Sequence, residues 1–407
     1  MDQSGVKAPR FSHNFIFCFV TVMFWFSMYA YQTNFTPYLY YIDATAAIVG
    51  LIVGSYGVTQ LICRIPFGMF SDKLEMRKPF IIAGMFCTVL SAAMFCFTDS
   101  IVCALCARVF AGVAASFWVN FTVLYSSYFE HGKAVSAVGF LNVFNNIGQL
   151  ISMSLGALLI HFIGTSNRGM DAGYNAAFLL ALAGGIVGLA ASFFIHEPKK
   201  QRQGKPPEAM ARRLLEVARD PVLLSVSLIA VVSQLITFST VFGFTPKYAE
   251  DVMQTTPLQN GILTVMTNLF AAAGAFIMSR KLSGRVREYK LVFIGMMLLA
   301  LCTAVIPLTK SFFMLVFTQS VSGIGKGISF PLLMGLSIKH MPQEKRGTAM
   351  GFFQAVYGVG MFAGPFFTGI ITSRLTLNAS FIMLGGVCAL AGAGSYFLLK
   401  KVCRIAE

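Results

Sequence analysis

Apolar residues fall in twelve long blocks, near 14–37, 46–71, 79–98, 100–128, 134–162, 174–196, 221–247, 258–279, 290–308, 312–338, 346–373 and 377–399, separated by short polar turns. A helix rises about 1.5 Å per residue, so about 20 apolar residues cross the hydrocarbon of a bilayer. Each block reaches that length, and the pattern predicts twelve membrane-spanning helices. The longest polar interruption is central, 198–220, where Pro198-Lys-Lys-Gln-Arg-Gln-Gly-Lys-Pro-Pro is followed by Arg212-Arg213. Two readings fit it: a flexible tether, or a short surface helix over Met210 to Val217, in which Met210, Leu214 and Val217 share a face.

The blocks repeat. Asn34-Phe-Thr-Pro37 at the end of the first recurs as Gly243-Phe-Thr-Pro246 at the end of the seventh. Ser71-Asp-Lys-Leu74 recurs as Ser279-Arg-Lys-Leu282, Arg108 with Gly112 as Gln319 with Gly323, and the run from Lys133 to Phe140 as Lys345 to Phe352. These pairs lie 208 to 212 residues apart. Four pairs in near-constant register mean a duplicated six-span unit, which places a pseudo-two-fold axis between the halves and a cavity on that axis.

Composition agrees with a bilayer setting: 56% of residues are hydrophobic and 12% charged, against about 25% charged in soluble domains. The net charge of +15 raises the question of nucleic acid, and its distribution answers it. With the N-terminus inside, 24 of the 31 Lys and Arg fall in inner turns and tails and four, Arg168, Lys247, Lys310 and Arg374, in outer loops. That is a topological bias, with both termini cytoplasmic, and nucleic-acid binding is not expected. Short loops and minimal tails favour a prokaryotic plasma membrane. The first block is too long for the core of a cleavable signal. Nine Cys lie mostly inside blocks as small apolar residues, and Cys103-x-x-Cys106 has no second pair to make a metal site.

Ionisable side chains at membrane depth are costly and usually face a cavity. Three cations qualify, Arg64, Arg108 and Lys326, and no Asp or Glu lies deep in a block. Arg108 stands two turns into the fourth block, ~12 Å at 1.5 Å per residue. Lys326, in Gly323-Ile-Gly-Lys-Gly327, lies near the middle of the tenth. By the repeat, Lys326 corresponds to Ala115, seven residues beyond Arg108 and so nearly on the same face. Both cations are therefore expected to line the cavity, one from each half. Neutral polar residues extend the set. Asn142 and Gln354 are equivalent by the repeat, Asn145, Asn146, Gln149 and Tyr357 follow on neighbouring turns, and Gln32, Gln234 and Trp25 join them. Each of these either lines a cavity or makes an interhelical hydrogen bond.

The turn after the second block reads Arg64-Ile-Pro-Phe-Gly68-Met-Phe-Ser-Asp72-Lys73-Leu-Glu-Met-Arg77-Lys78-Pro79. Gly68 is expected to let two helices approach closely, and the cations suit a helix C-terminus. This stretch resembles the signature loop of the major facilitator superfamily in its Gly68, Asp72, Lys73, Arg77 and Lys78, with Met76 where that family usually has Gly. The spacing of Arg108 and Gly112 resembles its fourth-helix motif, whose Arg is associated with proton coupling, with Ala111 in place of the usual Gln. Gly358, Gly360, Gly364, Pro365 and Gly369 resemble its antiporter motif, which belongs in the fifth helix; in the eleventh they read as close packing and a bend.

The resemblance covers essentially the whole chain. It implies an all-α fold of two six-helix bundles, 1–197 and 221–407, joined by a basic linker at 198–220, working by alternating access. It also implies that Asp72 approaches the start of the eleventh block near Glu344 to Gly347. Arg64 is assigned to the same gate, pairing with Glu130 or Asp72.

The chain is thus expected to be a transporter of a small-molecule substrate, embedded in a lipid bilayer, acting as a monomer and coupled to a proton or counter-anion. No cofactor, metal or enzymatic activity is expected. Without a nucleotide-binding Gly-rich loop the driving force is a gradient. Deep cations without deep carboxylates point to an organic anion. Export of amphipathic drugs through an aromatic, Met-rich cavity is the alternative. An intramembrane enzyme would need His, Asp or Glu clusters, a channel has no use for a duplicated gate loop, and a transport-dead sensor keeps the fold without the activity.

Overall fold

In a computed structural model, residues 11–97, 99–129, 134–198, 210–282, 285–342 and 345–406 are described, and among them there are helices and turns but no strand. Twelve helices have the length and hydropathy of membrane spans. In order they are Ser12–Tyr41, Ala46–Ser71, Lys78–Phe97, Ile101–Ser126, Ala137–Gly164, Gly169–Ser192, Pro221–Met253, Pro257–Leu282, Glu288–Leu308, Phe312–Lys339, Arg346–Arg374 and Leu377–Lys401. They are called spans one to twelve.

Spans one and seven run further than hydropathy placed them. Span one breaks at a tight turn, Gln32–Asn34, and resumes as Phe35–Tyr41. Span seven widens at Thr240–Phe244, where Gly243 leaves helical geometry (φ −111°, ψ −109°), and resumes as Thr245–Met253. Pro37 and Pro246 do not end these helices. Each stands in the opening turn of a new segment, where a missing N–H leaves no partner wanting. Lys247, expected in a loop, therefore sits on a helix. Its amine lies 2.8 Å from Asp251 and 3.7 Å from Glu250, and 5.0 Å from the Tyr40 ring centroid.

The chain forms two compact units, Met1–Gln32 with Ile62–Pro206, and Thr33–Leu61 with Pro207–Glu407. Compactness thus divides span two, whereas the sequence repeat divides the chain at the linker.

Within hydrocarbon, helices associate by dispersion and close packing rather than by leaving water, so small residues gather at their contacts. In the first unit Gly148 packs on Val22 and Gly156 on Ala30, joining spans five and one. In the second, Gly50, Gly54 and Gly57 of span two meet Pro365, Phe362 and Gly358 of span eleven, as the eleventh-block glycine pattern led one to expect. Gly68 behaves otherwise: among the described residues nothing lies within 4 Å of where its Cβ would stand. The close approach expected at Gly68 is made instead about three to five turns earlier on the same helix, at Gly57, Gly54 and Gly50.

A buried polar network ties the break in span one to the start of span eight. Asn34 Nδ2 donates to the Pro257 carbonyl at 3.2 Å, and Asn260 Nδ2 donates to Asn34 Oδ1 at 3.2 Å. Asn260 Oδ1 accepts from the Thr255 hydroxyl at 2.9 Å. Such a network, fully satisfied in low dielectric, fixes one arrangement of the two segments.

The basic turn of the first unit is organised by an acid that sequence reading passed over. The Glu197 carboxylate, just beyond span six, accepts the backbone N–H groups of Arg77 and Lys78 at the start of span three. A helix N-terminus presents unpaired N–H donors and positive potential, and a carboxylate answers both. Lys78 Nζ donates to the Phe193 carbonyl at 2.7 Å, and Arg77 donates to Ser71 Oγ and, at 3.3 Å, to Asn120 Oδ1. Nearby, Tyr128 donates to the His196 carbonyl, and the His13 and His196 rings stack 4.4 Å apart. Burial, and then the Glu197 charge, push the Tyr128 hydroxyl above its usual range, so it remains a neutral donor. Glu197→Ala is expected to cost about 1 kcal/mol and to lower the melting temperature of the purified protein, with Glu197→Gln falling between. An unchanged melting curve would remove the capping role.

Of the two readings of the linker, the helix is formed, over Met210–Ala218. Val217 is buried, and Glu216 pairs with Lys345 at 2.9 Å beside the start of span eleven.

Candidate functional site

Span ten places Lys326 among three glycines that need no side-chain space. Gly323 and Gly327 pack against Thr267 and Ala271 of span eight, and Gly325 against Gly295 of span nine. At about 100° per residue, Lys326 then stands between those two faces. The residue is half-buried. The ammonium lies 5.6 Å from the centroid of the Phe242 ring, at the widened turn of span seven. Among the described residues no carboxylate lies within salt-bridge distance of it.

Phe242 is the end of a stripe. Gln234, Phe238 and Phe242 recur every four residues along span seven and so follow one face. Phe238 meets Phe242 edge-on at 5.3 Å and stacks on Tyr56 of span two at 5.9 Å. Gln234 is 6% exposed, and its Oε1 is buried without a hydrogen-bond partner among the described residues. A buried acceptor left unsatisfied is costly in a native fold and marks a place where a donor is wanted. On span eleven, Tyr357 packs edge-on against Phe330 and Phe353, each at 5.5 Å, one turn from the half-buried Gln354.

The other two deep cations belong to the first unit. Arg108 is 3% exposed, and its charge lies close to the Tyr31 hydroxyl of span one. Tyr31 is itself wedged between Phe95 and Phe178. Arg64, expected at a gate, is 4% exposed and donates from Nη2 to the Ala115 carbonyl at 3.2 Å. Ala115 is the position that the repeat equates with Lys326. Glu130, Glu344 and the Asp72 side chain, named for the gate, lie outside the described residues. Lys73 is exposed.

Among the neutral residues, Gln149 donates to Asn145 one turn away, and Asn142 is half-buried on the same span. Trp25 packs with Trp118 at 5.3 Å and Tyr29 at 5.8 Å, and Gln32 is buried at the break of span one. Tyr31, Tyr56, Phe238 and Phe242 were missed from the sequence. The four-residue spacing of Gln234, Phe238 and Phe242 could have revealed the stripe; Tyr31 left no comparable signal.

The family model of the Major Facilitator Superfamily matches residues 17–309 and 253–402. An uncharacterized MFS-type transporter of Methanocaldococcus jannaschii is 22% identical over 377 residues, 88% of this chain and 91% of that protein. The inner membrane transport protein YajR of Escherichia coli is 22% identical over 83% of this chain and 72% of its own length. Among solved structures, a bacterial homolog of the human lysosomal transporter Spinster, inward-facing and occupied, superposes with a TM-score of 0.80 at 16% identity, covering 99% of each chain.

Proposed function

We propose that this chain, which belongs to the Major Facilitator Superfamily, moves a small organic anion across the plasma membrane by alternating access. The observation that carries the reading is the Lys326 ammonium, on a half-buried residue at mid-span over an aromatic ring, with no carboxylate beside it among the described residues. A desolvated cation is stabilised by an anion that binds there, and the anion gains more from it than it would in water. Arg108, beside Tyr31, serves coupling to a proton gradient, in keeping with the fourth-helix motif. The basic turns, including the one that Glu197 organises, face the cytoplasm with both termini. The relative in Escherichia coli is an inner membrane protein by name, which supports the plasma membrane.

Purified protein in liposomes, loaded with a pH gradient and offered labelled monocarboxylates, dicarboxylates, sugars and lipophilic cations, tests this directly. Gradient-dependent movement of a carboxylate is expected. Movement of lipophilic cations alone would replace the reading with that of a drug exporter.

A further inference from the structure

We infer that the substrate is an aromatic monocarboxylate about 10 Å long that carries a hydrogen-bond donor at the end remote from its carboxylate. This rests on the anion reading and narrows it. Four features of the second unit converge on it. The first is a single ammonium, Lys326, which balances one negative charge. The second is the aromatic strip that begins where the ammonium ends, Phe242, Phe238 and Tyr56, with ring centroids 5.3 and 5.9 Å apart. Ring edges and faces of this kind suit a planar π-system better than a flexible alkyl chain, because stacked and edge-on rings attract beyond their area.

The third feature is the Gln234 Oε1, an acceptor more than nine-tenths buried with no donor among the described residues. Oxygen in a carboxamide takes a hydrogen and offers none. Its partner is therefore a hydroxyl or an N–H on the ligand, not a second carboxylate. The fourth is length. Gln234 and Phe242 are eight residues apart, which at 1.5 Å per residue separates donor and carboxylate sites by ~12 Å along the helix. A para-hydroxylated aromatic acid with a short spacer fits that interval, with its carboxylate at Lys326, its ring along Phe238 and its hydroxyl at Gln234. The widened turn at Thr240–Phe244 holds the Phe242 end of the strip, and the backbone leaves helical geometry only after it, at Gly243.

The test compares three probes on the full-length purified protein by titration calorimetry: 4-hydroxycinnamate, 4-methoxycinnamate and octanoate. The inference expects 4-hydroxycinnamate to bind at least tenfold more tightly than either of the others. It expects Gln234→Leu to erase the difference between the hydroxy and methoxy compounds while leaving methoxycinnamate unaffected. Phe242→Leu is expected to weaken both cinnamates at least tenfold and octanoate little. The comparison of probes on the unaltered chain needs no variant, so it stands even if Phe242→Leu folds poorly. Octanoate binding as tightly as hydroxycinnamate, with loss in Lys326→Ala, would overturn the aromatic class and leave the anion reading intact. A hydroxy preference that survives Gln234→Leu would remove Gln234 as the acceptor and with it this inference. Binding of any probe unchanged by Lys326→Ala would overturn both readings. No binding of either cinnamate would also overturn the inference, and the liposome panel would then decide the anion reading by itself.

Discussion

Replacing Lys326 by alanine is expected to weaken anion binding by at least ~100-fold and to abolish gradient-driven uptake at substrate concentrations that saturate the unaltered protein. The magnitude follows from burial. Removing one member of a desolvated charge pair costs about 2–5 kcal/mol, and about 2.8 kcal/mol is a hundredfold in affinity. The loss should be specific to charged ligands. Stability of the unliganded protein should hold or rise, since a half-buried ammonium within a membrane span, without a carboxylate partner among the described residues, is itself unfavourable in the free state. Lys326→Arg keeps the charge but sets a wider, planar group between Gly325 and Gly327, where spans eight and nine already approach span ten closely. It should recover part of the affinity and not the full uptake rate. Calorimetry and liposome uptake on the same three proteins separate binding from turnover. Equal affinity in Lys326→Ala would show that the anion sits elsewhere.

Gly360→Leu is expected to prevent folding, and Gly68→Leu to leave it intact, although both are glycines of family-like motifs. A Cβ at Gly360 would lie 2.8 Å from the Val231 carbonyl carbon and 3.0 Å from the Leu235 nitrogen on span seven. Those are backbone atoms, which cannot turn aside as a side chain would. Spans seven and eleven would have to separate, and with them the stripe that leads to Phe242. Overpacking ordinarily costs about 1–3 kcal/mol, and backbone displacement of this kind more. Among the described residues nothing lies within 4 Å of a Cβ at Gly68, so its substitution should stay within ~0.5 kcal/mol. Size-exclusion profiles and melting curves of the two variants give the contrast. A well-folded Gly360→Leu protein would mean that the two helices are not held as closely as described.

The same glycines show what the sequence could and could not reveal. Twelve spans were legible because a bilayer demands long apolar runs, and the repeat was legible because four pairs kept one register. The span-eleven glycines were read as close packing and are so used. Gly68 was read the same way and is not, because a glycine's role depends on what stands opposite, which one chain position does not state. The blocks ending at 37 and 247 stopped short of the helices, because Phe35–Tyr41 and Thr245–Met253 add a further segment after each break, with Pro37 and Pro246 in its opening turn. Lys326 stood out because a cation in an apolar run is rare. Phe242 did not, being one of 40 Phe in a chain where such residues mostly meet lipid or pack. Glu197 was overlooked because it follows its own span, and its partners, the N–H groups at the start of span three, are 119 and 120 residues away.

The central claim is that an organic anion binds against Lys326. A crystal or electron-microscopy structure of the chain with the tightest-binding carboxylate of the liposome panel tests it most directly. The account predicts a carboxylate oxygen about 3 Å from Lys326 Nζ, a charge-assisted hydrogen-bond distance. A carboxylate seated on Arg108 and Tyr31, with Lys326 left untouched, would contradict it.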